Sequence, residues 1–198
     1  MKIIQGYSSA VFKFFIIEQN NFEKIKIMAN KSCFNIDINK MKEFIEAVEK
    51  DPGKGQFTFK TNTVWQDGSV SKTTARDFNI ITDEPETLGG KDSGIDPIEL
   101  LLGSIASSIA LGFSTQAAKK RIELKKFNIE TEGDIDVRGY LGLSGPRPGF
   151  NNIRYTLNVE SDASEEELED SLRSAEETSP MYDNVSKGVP VYSEINKT

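Results

Sequence analysis

Residues 96–120 read DPIELLLGSIASSIALGFSTQAAKK, and no charge falls between Glu99 and Lys119. Asp96 is placed to cap a helix, Pro97 to take its first position and Glu99 to reach back from the third. Ile98, Leu101, Leu102, Ile105, Ile109 and Phe113 supply its apolar surface. A helix of about six turns, at roughly 3.6 residues each, with no charged face belongs at the centre of a fold. Gly103, Ser104, Ala106, Ser107, Ser108, Ala110 and Gly112 are small enough for another backbone to come close. In a chain of 198 residues, burial on every side predicts that a second subunit covers part of this helix.

Toward the N-terminus, Asp83–Asp96 reads as a loop holding Pro85, Gly89, Gly90 and Gly94. Its Asp83-Glu84 pair reads as solvated. Val70–Thr82 reads as one strand, and Asp67-Gly68 as the hairpin turn before it. Gln56–Trp65 reads as a strand with Phe57, Phe59 and Trp65 on one buried face. A helix begins after Asp37 with Ile38, Met41, Phe44, Ile45 and Val48 in one stripe, and Asp51-Pro52-Gly53 stops it. In residues 1–36, read as an N-terminal extension of uncertain role, Ala10–Ile17 is an apolar run broken by Lys13. It reads as a strand, or as untranslated upstream sequence read in frame, rather than a signal peptide. Met28 is a candidate for the natural start.

Toward the C-terminus, Leu124–Val137 and Asn152–Ser161 alternate as strands, joined by a loop over Gly139–Gly149. Ser164 and Glu167 form a second capping box, and Leu168, Leu172 and Ala175 give the helix that follows its inner stripe. Pro180 breaks that helix. A short helix then runs to Gly188, and Val189–Ile195 is expected to close as a strand. The order is α+β, not the alternation of a parallel α/β sheet. Residues 37–198 are expected to form one domain.

Composition excludes much chemistry. The net charge of −7 argues against nucleic-acid binding, which needs clustered Lys and Arg. The longest unbroken apolar runs are short, so no membrane span is expected. There is no His, which removes the commonest general base and every imidazole metal site. Cys33 is the lone cysteine, so no internal disulfide, CxxC pair or thiolate zinc site can form. No cofactor or metal is implied, and a reducing, cytoplasmic setting is expected.

Several separated segments resemble the OsmC/Ohr family. These are Asp83-Glu84-Pro85, Leu88-Gly89-Gly90-Lys91-Asp92, Pro97–Ser104, Gly133–Leu143, Ala163–Leu168 and Ser179-Pro180-Met181. The resemblance covers about residues 57–195. It implies strongly curved antiparallel sheets wrapped around long central helices in an intertwined homodimer. Enzymes of the family reduce organic hydroperoxides or hydrogen peroxide with a peroxidatic Cys in the central helix and a resolving Cys before a Pro. Carried over residue by residue, those positions fall on Ser108 and Ser179. The family's catalytic Glu position falls on Ile98, with Glu99 one residue later. Arg76, the one arginine before the central helix, is assigned to the catalytic Arg by elimination.

A hydroxyl is a far weaker acid than a thiol and has no stable sulfenic counterpart. The thiol peroxidase reaction is therefore expected to be absent. The plainer readings make Ser108 a packing residue that bonds back to a carbonyl, Ser179 a turn or capping hydroxyl and Glu99 a capping-box acid. Four functions stay open. The first is a dimer binding a small apolar ligand, or a peroxide, at its interface. Another is an enzyme of a different class using Ser108, Glu99 or Lys119. A third is a residual peroxide or stress-response redox protein acting through Cys33. The fourth is a non-catalytic structural or regulatory dimer.

Overall fold

The computed structural model describes residues 36–197. The strand expected at 10–17, Met28 and Cys33 lie outside them. The elements run α1 (Ile38–Lys50), β1 (Asn62–Asp67), β2 (Val70–Ala75), β3 (Phe78–Thr82), α2 (Pro97–Lys120), β4 (Leu124–Asp134), α3 (Val137–Tyr140), β5 (Asn152–Ser161), α4 (Glu165–Glu177) and α5 (Pro180–Lys187). The fold is α+β with two antiparallel sheets, β1-β2-β3 and β4-β5.

Local chemistry sets the helix starts. Asp96 accepts from the Ile98 amide, and Glu99 accepts from the Asp96 amide at 3.1 Å. Ser164 and Glu167 exchange the same pair of bonds at the start of α4. Each cap satisfies backbone donors that would otherwise be orphaned. Asp37 caps α1 by accepting from Lys40 N–H.

The core lies where α2 crosses α4 over the inner face of β4-β5. Phe113 and Ala117 of α2, Ile122, Leu124 and Ala175 are buried together, with Phe127, Leu157, Val159, Leu168 and Leu172 around them. The Phe113 and Phe127 rings pack at 5.6 Å, tilted by 60°. Full burial of a side chain such as Phe113 stabilises by about 1.5–3 kcal/mol. A Cβ added at Gly112 would stand 3.0 Å from the Ala175 Cβ. The glycine is what lets α2 and α4 approach so closely. Lys120 fastens the far end by pairing with Asp170 and donating to Ser171.

Several expectations need correction. The stretch Val70–Thr82 is two strands, turned at Arg76-Asp77, with Arg76 in the left-handed region at φ 55°. The first strand begins at Asn62 rather than Gln56. Its aromatic face is uncovered: Phe59 is 93% exposed, and Phe57 and Trp65 are exposed as well. Among the described residues none of β1, β2 or β3 packs extensively on a helix, and β1 is exposed along its whole length. The stripe of α1 is likewise unburied. Leu124–Val137 ends as a strand at Asp134, and Val137 starts α3. Val189–Ile195 follows α5 without forming a strand, and Val191, Tyr192 and Ile195 are exposed. Strand alternation alone cannot supply a pairing partner.

The central helix is also less enclosed than its composition predicts. Within the chain only Ile105, Ile109, Phe113, Ser114 and Ala117 are buried, and Leu111 is exposed. By length and apolarity α2 is sufficient to cross a membrane. Counting only unbroken apolar runs missed this, because the interrupting residues are Ser, Gly and Thr rather than charges.

Asp83 differs most from its reading as a solvated acid. It is 1% exposed. Its carboxylate accepts from the hydroxyls of Ser69 and Ser93 and from the amides of Glu84, Lys91 and Ser93. The Ser69 and Ser93 bonds hold its carboxyl far below the usual carboxylate range. This hub ties the β1–β2 turn to the loop before α2, beside the Thr82–Ile95 bridge.

Candidate functional site

The contact of α2 with α5 brings together two residues that the sequence separates by 71 positions. Ser108 Oγ and Ser179 Oγ lie 2.8 Å apart in a hydrogen bond. Ser179 is buried, and its hydroxyl also accepts from Tyr182 N–H at 3.1 Å as the cap of α5. Ser104, Ser107 and Ser114 bond back to carbonyls of their own helix. Ser108 spends its hydroxyl on Ser179 instead.

Neither hydroxyl is bonded to a carboxylate, an amine or a guanidinium among the described residues. A serine nucleophile needs an adjacent base, and this pair has only each other and a backbone amide. Glu99 sits nine residues earlier on α2, about 13–14 Å along the axis at roughly 1.5 Å per residue. It is engaged in the capping box. Arg76 stacks over the Phe78 ring at 5.0 Å in the β2–β3 turn. No hydrogen bond or ion pair of the described residues joins either of them to Ser108.

Two neighbours of the pair were not foreseen. Tyr155 of β5 donates its phenol to Glu176 near the end of α4. Glu176 in turn accepts from the Ser179 amide through its carbonyl. Burial, and then the Glu176 carboxylate, raise the Tyr155 phenol well above its ordinary range. The phenol is therefore a fixed donor at neutral pH. A tyrosine at an inward strand position and a glutamate at the end of an acidic helix gave no sequence signal that they meet.

Between α2, β5 and α5 opens a cleft of about 420 Å³, which neither Ser108 nor Ser179 lines. Ile98, Leu101 and Ile105 line one wall, Tyr182, Val185 and Ser186 another, and Phe150, Ile153 and Tyr155 a third, with Arg147 also in the lining. The wall at Phe150 depends on Gly133, where an added Cβ would fall 2.5 Å from the ring. The cleft is mainly apolar, as small-molecule sites usually are.

Residues 90–194 match the family model described as OsmC-like protein. No curated protein matches the chain. Solved structures share its fold. An OsmC-like protein from Mycoplasma pneumoniae superposes with a TM-score of 0.58 at 18% identity, over 67% of this chain and 89% of that one. An organic hydroperoxide resistance protein from Elizabethkingia anophelis, with thiocyanate bound, gives 0.52 at 15% identity, over 67% and 90%. An organic hydroperoxide resistance protein OsmC from Legionella pneumophila gives 0.50 at 17% identity, over 67% and 91%.

Proposed function

The chain belongs to the OsmC-like protein family, and from that premise we propose a homodimer that keeps the family scaffold, lacks the thiol peroxidase reaction and binds a small apolar molecule. The observation that carries this reading is the Ser108–Ser179 hydrogen bond. Two oxygens meet where the resemblance puts two sulfurs. A hydroxyl at such a site ionises too weakly to attack a peroxide and cannot cycle through a sulfenic acid and a disulfide. No base replaces the missing acidity.

The dimer is supported by what one chain leaves uncovered. One helix that the sequence makes apolar all round keeps an exposed Leu111, and Phe57, Phe59, Trp65 and Phe78 of the first sheet region are exposed together. Exposed apolar area of that extent marks an interaction surface. A second copy satisfies both faces at once, with residues 37–198 of each chain acting as one domain. The same burial removes α2 from contact with lipid. A reducing, cytoplasmic setting belongs to this reading and rests on the single thiol.

The test uses the full chain. Cumene hydroperoxide consumption with a thiol reductant is followed for the wild type and for Cys33→Ser. Both are expected to run at the rate of the protein-free control. Turnover by the wild type that Cys33→Ser abolishes would overturn the reading in favour of a redox protein working through Cys33. Sedimentation is expected to give twice the chain mass of 22.0 kDa; a monomer at micromolar concentration removes the dimer.

A further inference from the structure

The cleft carries one feature that a purely apolar pocket does not need. Arg147 stands in its lining on the loop joining β4 to β5, between Pro146 and Pro148. The two prolines restrict the backbone around it. Its guanidinium lies over Gly149, where an added Cβ would be 3.3 Å from Nη2. Three cations on the neighbouring elements are paired, and Lys119 of α2 and Lys126 of β4, which are unpaired among the described residues, do not line the cleft. Arg138 pairs with Asp136, Arg154 with Glu132 and Asp134, and Lys187 with Asp183. Arg147 makes no ion pair among the described residues, in a chain with 31 acidic residues and 24 basic ones.

We propose that this cleft binds an amphipathic monoanion, with its aliphatic or aryl chain among Leu101, Ile105, Phe150, Ile153 and Val185 and its carboxylate on Arg147. The proposal rests on the apolar-ligand reading and adds the charged head. The planar guanidinium suits a carboxylate because its parallel N–H groups match both oxygens. The cleft volume of about 420 Å³ falls within the roughly 300–1,000 Å³ of small-molecule sites.

The probes are decanoate and decanol, titrated calorimetrically below the concentrations at which either self-associates. The full chain is compared with Arg147→Gln and Val185→Trp. Decanoate is expected to bind one site per chain, about tenfold or more tighter than decanol, the gain of a charge-assisted pair. Arg147→Gln is expected to remove that tenfold preference and leave decanol within about twofold. Val185→Trp, which fills the cleft, is expected to weaken both. Matching circular dichroism and melting curves establish that each variant is folded. Equal affinity for the two probes, or unchanged decanoate binding by Arg147→Gln, overturns the anion site while the apolar-ligand reading stands. Binding of both probes that Val185→Trp does not weaken overturns the assignment to this cleft. If neither probe binds, both readings fall.

Discussion

Ser108 and Ser179 share a hydrogen bond of 2.8 Å across the contact between α2 and α5. The Ser108 Cβ belongs to α2, and the Ser179 Cβ to the buried N-cap of α5 in the two-residue link from α4. A disulfide needs Cβ atoms roughly 3.5–4.5 Å apart, a span within reach of side chains whose oxygens already touch. The double variant Ser108→Cys/Ser179→Cys, made with Cys33→Ser, is expected to form an intramolecular disulfide with diamide. Thiol titration should fall from two per chain to none, and each single variant should keep its thiol. Two titratable thiols after oxidation would show that the helices do not hold these positions together in solution.

Asp83 is expected to contribute to the fold's sensitivity to acid. Five donors converge on a buried carboxylate, so it holds its charge to lower pH in the folded chain than in the unfolded one. The stability from this difference is complete above the ordinary value of 3.8 and drains away as pH falls below it. Asp83→Asn leaves an amide where five donors need an acceptor. It is expected to lower the denaturation midpoint at pH 7 and to flatten its dependence on pH below 5, read by urea unfolding at several pH values. The same acid profile in wild type and variant would remove Asp83 as the cause.

Tyr155 acts at the opposite end of the scale. Its phenol is raised above its ordinary value of 10.0 by burial and by Glu176. The contribution is whole below that value and is lost as pH rises above it. Tyr155→Phe removes the donor and strands the Glu176 carboxylate, costing about 1–3 kcal/mol at pH 7. Chemical denaturation between pH 7 and pH 11 checks this, and the variant should lose less stability than the wild type over that span.

Gly133 seats the Phe150 ring against the backbone of β4. Gly133→Ala forces the ring away from the cleft wall at a cost of about 1–3 kcal/mol. Its expected signature is a lower melting temperature together with changed ring-proton shifts for Phe150. An unshifted melting curve would mean that the wall yields freely.

The helix starts were legible because a cap is local: Asp96 acts with Glu99, and Ser164 with Glu167, each pair three residues apart. The exact span of β5 was legible for the same reason, since strict alternation from Ile153 to Val159 marks its inner face. The β2–β3 turn was hidden because it uses Arg76, not glycine, in the left-handed region. The exposure of Phe57, Phe59 and Trp65 was hidden because apolar periodicity says which face seeks cover, not what provides it. In the site, the meeting of Ser108 and Ser179 was legible through the resemblance alone. The Tyr155–Glu176 bond, the five donors on Asp83 and the position of Arg147 depend on long-range packing that no window of sequence contains.

Among the described residues strand pairing never skips a neighbour: β1 pairs with β2, β2 with β3 and β4 with β5, two of these through two-residue turns. Closing short loops takes little entropy, and folding rates rise as contacts become more local. Each sheet can therefore nucleate by itself while the chain is still emerging from the ribosome. In the proposed dimer, encounter between copies, a concentration-dependent event, is then the expected slow step of maturation.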